Sequence, residues 1–210
     1  MSSKLESMSG IADTPFPEFL DTCVDPIELA QNWLNYAQDV KAKEPRSMVL
    51  TTQSKNGDLT SRVMAAMNFT GDGIIFATHS CSRKIQDVST GSKAVCHFYW
   101  KELGRQLSVC GEVTEINRND VEKYWADRPS GLHSMSTISR QSEMLEDPEG
   151  MLELAAELES KGALPCPEHF AVYLLLPSTI EFWASSSNRL HRRIRCEKII
   201  DNWVINWLQP

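Results

Sequence analysis

"SMVLTTQSKNGDLTSRVMAAMNF", residues 47 to 69, holds two β-rich runs on either side of a turn. Val49, Leu50, Thr51 and Thr52 make the first run, and Leu59 to Phe69 the second. Between them lies Ser54 to Asp58, whose Asn56-Gly57 pair suits a type I′ turn because both central positions of that turn need positive φ. This is the signature of an antiparallel hairpin. Ser61 to Phe69 reads as one strand with Arg62 at its entrance and apolar or small residues nearly to its end. A guanidinium stays charged at any physiological pH and at a strand end asks for an anionic partner.

Outward from the hairpin the same alternation continues. "TGDG" leads into "IIFATH" (74–79), and "KAVCHFYW" (93–100) and "RQLSVCGEVTEI" (105–116) read as longer strands around "KELG". "CSRKIQDVSTGS" between them reads as a short helix capped by Ser82 and closed near Gly91. Upstream, "DPIELAQNWLNYAQDVKAK" (25–43) has an Asp N-cap, Pro at the first helical position and Ile27, Leu29, Trp33 and Ala37 at helical spacing. Downstream, helices are expected at 118–127 and 148–160, then strands at "HFAVYLLLP", "TIEFWAS", "RIRCEKII" and "NWVINWL". Strands that mostly follow one another through short turns, with a few helices, predict an α+β fold around a barrel or strongly coiled sheet. Trp100, Trp203 and Trp207 suit either its core or an interface. The boundaries expected are a mobile tail over 1–24, rich in Ser, Pro and acidic residues, and one domain over 25–210.

Composition narrows the function. A net charge of -7 argues against a general nucleic-acid binder, which carries a basic footprint. No apolar run is long enough to cross a bilayer, and the N-terminus lacks a signal core, so a cytoplasmic protein is expected. The 6 cysteines are scattered singly, which indicates neither a zinc site nor a disulfide framework. Nucleotide-loop, metalloprotease and nucleophile-elbow motifs are missing. What remains is cationic: Arg62, Arg83, Lys84, Arg128, Arg189 and Arg193 fall near expected element ends, where a guanidinium can fork onto phosphate oxygens. Arg83 and Lys84 open an expected helix, whose N-terminus adds to an anion site. Each residue alone also suits a solvated surface, as does the basic run "RLHRRIR" (189–195).

Taken together, the motifs resemble the pyridoxine 5′-phosphate oxidases, the FMN enzymes of vitamin B6 salvage. The resemblance runs from Asp25 to Pro210 through "EPRSM" (44–48), "SRVMAAM", "FATHSCSRK" (76–84), "FYWKELGRQLSVCGEV" (98–113), "YWADRP" (124–129), "RQS" (140–142) and "IEFWASSSNRLHRR" (180–193). It implies an FMN-binding split β-barrel working as a homodimer, each flavin site built from both chains. It implies that Arg62, Arg83 and Lys84 hold the FMN phosphate beside Thr78, and that Gln106, Gln141, Ser142, Trp183 and Arg193 complete the flavin site. Tyr124 and Arg128 are implied to bind a substrate phosphate, and the catalytic pair Arg189 and His191 to orient the substrate for hydride transfer, with O2 as final acceptor and hydrogen peroxide released. No metal and no membrane or nucleic-acid partner is implied.

Two substitutions depart from that pattern. The family strand beginning with this arginine ends in a lysine that touches flavin and substrate phosphate, and here that position is Met67, which neither donates a hydrogen bond nor carries charge. Four residues after Arg128 the family has a phosphate-binding serine, and here it is Leu132. Ala77 stands where a tyrosine is usual. Losing one charged and one neutral hydrogen bond weakens a phosphate by about 2 to 5 kcal/mol unless His133, Ser134, Ser136 or Arg192 compensates. The resemblance therefore leaves three readings: a pyridoxine or pyridoxamine 5′-phosphate oxidase, a divergent FMN-binding paralogue with weak or altered oxidase activity, and a barrel that has lost its flavin.

Overall fold

A computed structural model describes residues 25–89, 91 and 93–210; the tail expected over 1–24 lies outside them. Helix α1 (Pro26–Asp39) starts as expected, with the Asp25 carboxylate accepting the Ile27 and Glu28 N–H groups. Strands β1 (Ser47–Gln53), β2 (Leu59–Ala65), β3 (Asn68–Thr70) and β4 (Gly73–His79) follow, then α2 (Arg83–Val88), β5 (Ala94–Trp100) and β6 (Arg105–Glu115). After α3 (Arg118–Ala126), α4 (His133–Ile138) and α5 (Pro148–Glu159) come β7 (Phe170–Ala184), β8 (Arg192–Ile199) and β9 (Asn202–Leu208). Helix α4 was not expected.

The strands form one antiparallel sheet of nine, in the order β2-β1-β5-β6-β7-β4-β3, with β8 on β7 and β9 on β8. The two ends of that path, β2 and β3, are separated in the chain only by Ala66 and Met67, so the sheet must curl until its edges meet. There the run expected as a single strand breaks. The Ala66 N–H bonds back to Arg46, the Met67 N–H bonds to Ile75, and the chain passes from the β1 side of the seam to the β4 side. Met67 therefore sits at the seam of the barrel and not at the end of a strand.

Three further corrections concern turns, strands and caps. Among residues 54–58 only Gly57 has positive φ, and its N–H bonds to Ser54, so the hairpin closes through Lys55-Asn56 with Gly57 in the left-handed position; the expected turn needed Asn56 there too. The segments expected as two strands over 169–185 form one, because β6 pairs with β7 from Tyr173 to Ala184, across the expected break, while β4 and then β8 share its other edge. Pro177 falls between those two neighbours, beside a register shift at Cys110/Gly111, where a residue without N–H is tolerated. Gly111 is required: a Cβ there would lie 1.9 Å from the Leu176 carbonyl oxygen. Ser82 occupies the N-cap of α2, but its hydroxyl makes no cap bond.

The core runs through the barrel as Leu50, Phe76, Phe98, Leu107, Val109, Ile180, Phe182 and Ile194, and α1 closes it with Trp33 edge-on to Phe182 at 5.1 Å. Trp100 is buried and donates to the Pro45 carbonyl at 2.8 Å, Trp203 packs partly buried against the core, and Trp207 is exposed. A second apolar cluster of Ile75, Val121, Trp125, Phe170 and Val172 lies between β4, β7 and α3. No helix among the described residues is long and apolar enough to cross a membrane, and no cluster of His, Cys, Asp or Glu there suits a metal ion.

Candidate active site

The cationic residues gather first around Arg62. On β2 it pairs with Leu50 of β1, so it shares the face of the core row. Its Nη1 donates to the Leu50 and Thr60 carbonyls and to Thr52 Oγ1 at 2.8 Å, and its Nη2 donates to Thr60 Oγ1 at 2.6 Å. Both hydroxyls pass on to buried Asp87 of α2, from Thr52 at 2.8 Å and from Thr60 at 3.3 Å. Burial lowers the pKa of Arg62, with Asp87 opposing and Arg83 adding to the fall. Asp87, which backs both threonines behind Arg62, was missed by the sequence reading, although its place one helical turn after Arg83 was a signal.

Beside it, Lys84 Nζ donates to Thr78 Oγ1 and to Gln141 Oε1, both at 2.9 Å, and Thr78 donates to the same Gln141 oxygen at 2.7 Å. The Arg83 N–H bonds Ser142 Oγ at 3.1 Å. Burial, then the nearby Arg62 charge, pull the Lys84 ammonium down to about 8. Arg83, Gln141 and Ser142 line a cavity of 420 Å³ with Cys81 and Asp87. Six of the expected flavin residues, Arg62, Thr78, Arg83, Lys84, Gln141 and Ser142, thus come together. α2 has only six residues, so side chains and not a helix dipole carry the charge here.

The remaining three form a different patch. Gln106, Trp183 and Arg193 lie directly opposite one another on β6, β7 and β8, in one row across three strands. They line a cavity of 240 Å³ with His97, Ser108 and Glu181. Glu181 fixes the row's charge: it accepts from Arg193 Nη2 at 2.6 Å through Oε1 and from Arg195 Nη2 at 3.1 Å through Oε2. Sequence reading missed Glu181 as well; its signal was period two alone, Glu181 before Trp183 against Arg193 before Arg195. Since Leu107 and Val109 are buried on the core face, Gln106 and its row face outward. Arg62 and the Gln106 row therefore belong to opposite faces of one sheet.

The expected substrate residues divide the same way. Tyr124 packs on the second apolar cluster together with Met67 and Ala77, and lines a 330 Å³ cavity with Ile75, Ile116, Asp120, Lys123 and Asp127. Arg128, just past α3, lies over the Phe170 ring at 5.6 Å and donates to Ser136 Oγ at 3.3 Å, while its Nε is buried without a partner. Of the residues considered as replacements for the family serine, Ser136 is the one brought to the Arg128 guanidinium; His133 is buried, stacks on Trp125 at 4.1 Å, accepts the Leu164 N–H and meets Arg128 only at its carbonyl, through Nε2 at 3.1 Å. Leu132 is exposed. His191 lies instead with the outward row: it packs on Trp183 at 4.8 Å, and its Nδ1 accepts the Ser186 N–H at 3.1 Å. Arg189 has φ 64, left-handed for a non-glycine residue, and its N–H bonds Ser186. Arg192 lines the adjoining 500 Å³ cavity with His191 and Arg193.

Over residues 37–158, more than half of the chain, the sequence matches the family model described as "Pyridoxamine 5'-phosphate oxidase". The chain belongs to the pyridoxamine 5′-phosphate oxidase family. A second model, the pyridoxine 5′-phosphate oxidase C-terminal dimerisation region, matches residues 170–210, which hold β7, β8 and β9 and the exposed Val204, Ile205 and Trp207. Among curated members of the family, a dihydrophenazinedicarboxylate synthase of Burkholderia lata is 39% identical over 100% of this chain and 99% of its own. A pyridoxine/pyridoxamine 5′-phosphate oxidase of a Shewanella species is 32% identical over 89% of each chain. The crystal structure of PhzG from Burkholderia lata, in complex with tetrahydrophenazine-1-carboxylic acid, matches with a TM-score of 0.91 at 39% identity, covering 96% of this chain and 100% of that one. An FMN-binding family protein of Nostoc punctiforme matches in fold, with a TM-score of 0.73 at 16% identity, over 90% of this chain and 100% of its own. The split-barrel fold of the family is thus the fold of this chain.

The residues present fit a flavin mononucleotide. Two guanidinium groups, an ammonium and the hydroxyls of Thr78 and Ser142 make a donor set for a phosphate dianion. The Ser82 hydroxyl, buried at the head of α2 without a partner, is a further donor beside it. The outward row adds an indole face and an amide, suited to a flat heteroaromatic ring.

Proposed function

We propose that this protein is an FMN-dependent oxidase of a partly hydrogenated phenazine carboxylate, acting as a homodimer in which two copies share each flavin site. The observation that carries the reading is Met67. Where a phosphate-binding lysine is the family pattern, a thioether packs beside Tyr124 and Ala77 on the apolar cluster of Ile75, Val121, Trp125, Phe170 and Val172. An apolar wall favours a flat, uncharged ring system and offers nothing to a phosphate dianion. The dihydrophenazinedicarboxylate synthase of Burkholderia lata and the PhzG structure from the same organism support it. The opposite facing of Arg62 and the Gln106 row supports the shared site, because one sheet turns them away from each other.

In this reading Arg62, Arg83 and Lys84, with Thr78, Gln141 and Ser142, hold the FMN phosphate, and Gln106, Trp183 and Arg193 of the other copy border its ring. FMN, when bound, supplies a two-electron acceptor and the path to O2, with hydrogen peroxide as by-product. Arg128 and Arg189 are the groups that fork onto the substrate carboxylate. His191 accepts the Ser186 N–H at Nδ1, so its ring proton stays on Nε2. It serves as a hydrogen-bond donor that orients the substrate and not as a base.

The second reading is oxidation of pyridoxine or pyridoxamine 5′-phosphate to pyridoxal 5′-phosphate, favoured by the presence of Tyr124, Arg128, Arg189 and His191 and by Ser136 standing at Arg128. The test is oxygen uptake and peroxide formation by the FMN-loaded protein with reduced phenazine-1-carboxylate and, separately, with each B6 phosphate. Faster turnover of the phenazine is expected. Turnover of the B6 phosphates alone establishes the second reading, and a folded protein that takes up no FMN at micromolar concentration ends both.

A further inference from the structure

His79, His169 and Arg140 have no role in the site described above, yet they meet against its cationic half. His79 is the last residue of β4 and is buried, with its ring edge-on to His169 at 4.6 Å. Its Nδ1 accepts the Gln141 N–H at 3.4 Å. His169 accepts from Arg140 Nη1 through Nδ1, and its Nε2 meets the Ser136 carbonyl at 2.9 Å. An arginine does not give up its proton, so His169 Nδ1 is a lone pair and Nε2 donates. Both imidazoles are therefore neutral acceptors toward one short turn. That turn closes through the Glu143 N–H to Arg140 and holds Ser142 at φ 78, a left-handed conformation that serine keeps only under outside constraint. It delivers Gln141 Oε1 to Thr78 and Lys84, and Ser142 Oγ to the Arg83 N–H.

We infer that His79 and His169 are positioning residues: paired neutral acceptors that latch the Arg140–Ser142 turn onto the flavin-phosphate half-site, so that imidazole protonation loosens the cofactor. The inference rests on the flavin reading above. The groups facing His79 are His169, Lys84, Arg140 and Arg128, all cations or potential cations, and Glu168 stands beside His169 and Arg140 around a 530 Å³ cavity. Burial first, then those neighbours, pull His79 down to about 4. The latched form thus binds a proton less tightly than a released imidazole of ordinary pKa near 6.5. As pH falls below about 6.5 the released form takes up protons first, and the latch weakens on the acid side.

The experiment is FMN titration of the apoprotein between pH 7.5 and pH 5, wild type against His79→Asn, whose amide oxygen replaces the acceptor but does not protonate. The phosphate's own ionisation near pH 6 acts on both proteins alike. Wild type is expected to lose about tenfold more FMN affinity across that range than His79→Asn, and His79→Leu to bind weakly at both ends. Equal pH dependence of wild type and His79→Asn, with both binding FMN, overturns the latch. Protection of the Gln141 amide against hydrogen exchange, measured on ligand-free protein, separates this from failure of the flavin reading. Loss of protection at pH 5 in wild type but not in His79→Asn sustains the latch even without flavin, and protection indifferent to both pH and variant refutes it.

Discussion

The cationic cluster around Arg62 and the outward row are held together by different means. Around Arg62 the groups come from β1, β2, β4, α2 and the 140–142 turn, and each is held by hydrogen bonds to another member, with buried Asp87 behind the two threonines. In the row of Gln106, Trp183 and Arg193, ladder pairing on three long strands sets the spacing, with Glu181 holding Arg193 in place. The first half depends on loops and partners; the second depends on register. Damage should therefore spread in the first through lost contacts and in the second through lost strand alignment.

The largest effect expected is on register. Gly111→Ala puts a methyl group 1.9 Å from the Leu176 carbonyl oxygen, against backbone that cannot yield cheaply. It should destabilise the protein by about 3 kcal/mol, seen as a lowered midpoint in chemical denaturation. An unchanged midpoint would show that the β6–β7 ladder is not what sets the row. Next, Arg62→Ala removes a charged donor from the network and should weaken FMN by about 10- to 150-fold in a fluorescence titration, from the usual 1.5–3 kcal/mol of a hydrogen bond to a charged group. Met67→Lys tests the seam between the two regions. It should raise affinity for pyridoxine 5′-phosphate by about tenfold, one charged hydrogen bond, while slowing oxidation of the reduced phenazine.

The smallest effect concerns Lys84, whose pKa lies at about 8 against an ordinary 10.5. In the proposed reading its charge helps to hold the FMN phosphate below about pH 8, so FMN affinity should fall several-fold as pH rises through that value, and Lys84→Arg should abolish the fall. Stability of the flavin-free protein should run the other way. Between pH 8 and 10.5 the unfolded chain binds the proton that folded Lys84 has released, so this group adds stability as pH rises. Opposite slopes for binding and stability identify Lys84; parallel slopes assign the change elsewhere.

Much of this architecture was legible in the chain. Alternation from Ser47 onward marked the strands, and Asp25-Pro26 marked the first helix. Those marks were legible because period two and cap chemistry are local properties, whereas the residues of the two patches came from the family resemblance of the ordered motifs. The breaks in that reading occur where strands change partners. Ser61 to Phe69 looked continuous, yet the closing barrel cuts it at Ala66-Met67; "HFAVYLLLP" and "TIEFWAS" looked separate, yet β6 joins them. Asp87, Glu181 and the His79–His169 pair were missed because each acts on a residue supplied by another element, and one chain without its fold shows no such pairing.

By itself, then, the order of residues determined the type of each long element, the apolar face that each strand buries, and the presence of cations near element ends. Only the tertiary structure decided which of those cations share a site, that Met67 faces an apolar cluster at the barrel seam, and that Arg62 and the Gln106 row look away from each other. The physical reason is that periodicity is written into consecutive residues, whereas closure of the sheet depends on pairings between strands far apart in the chain.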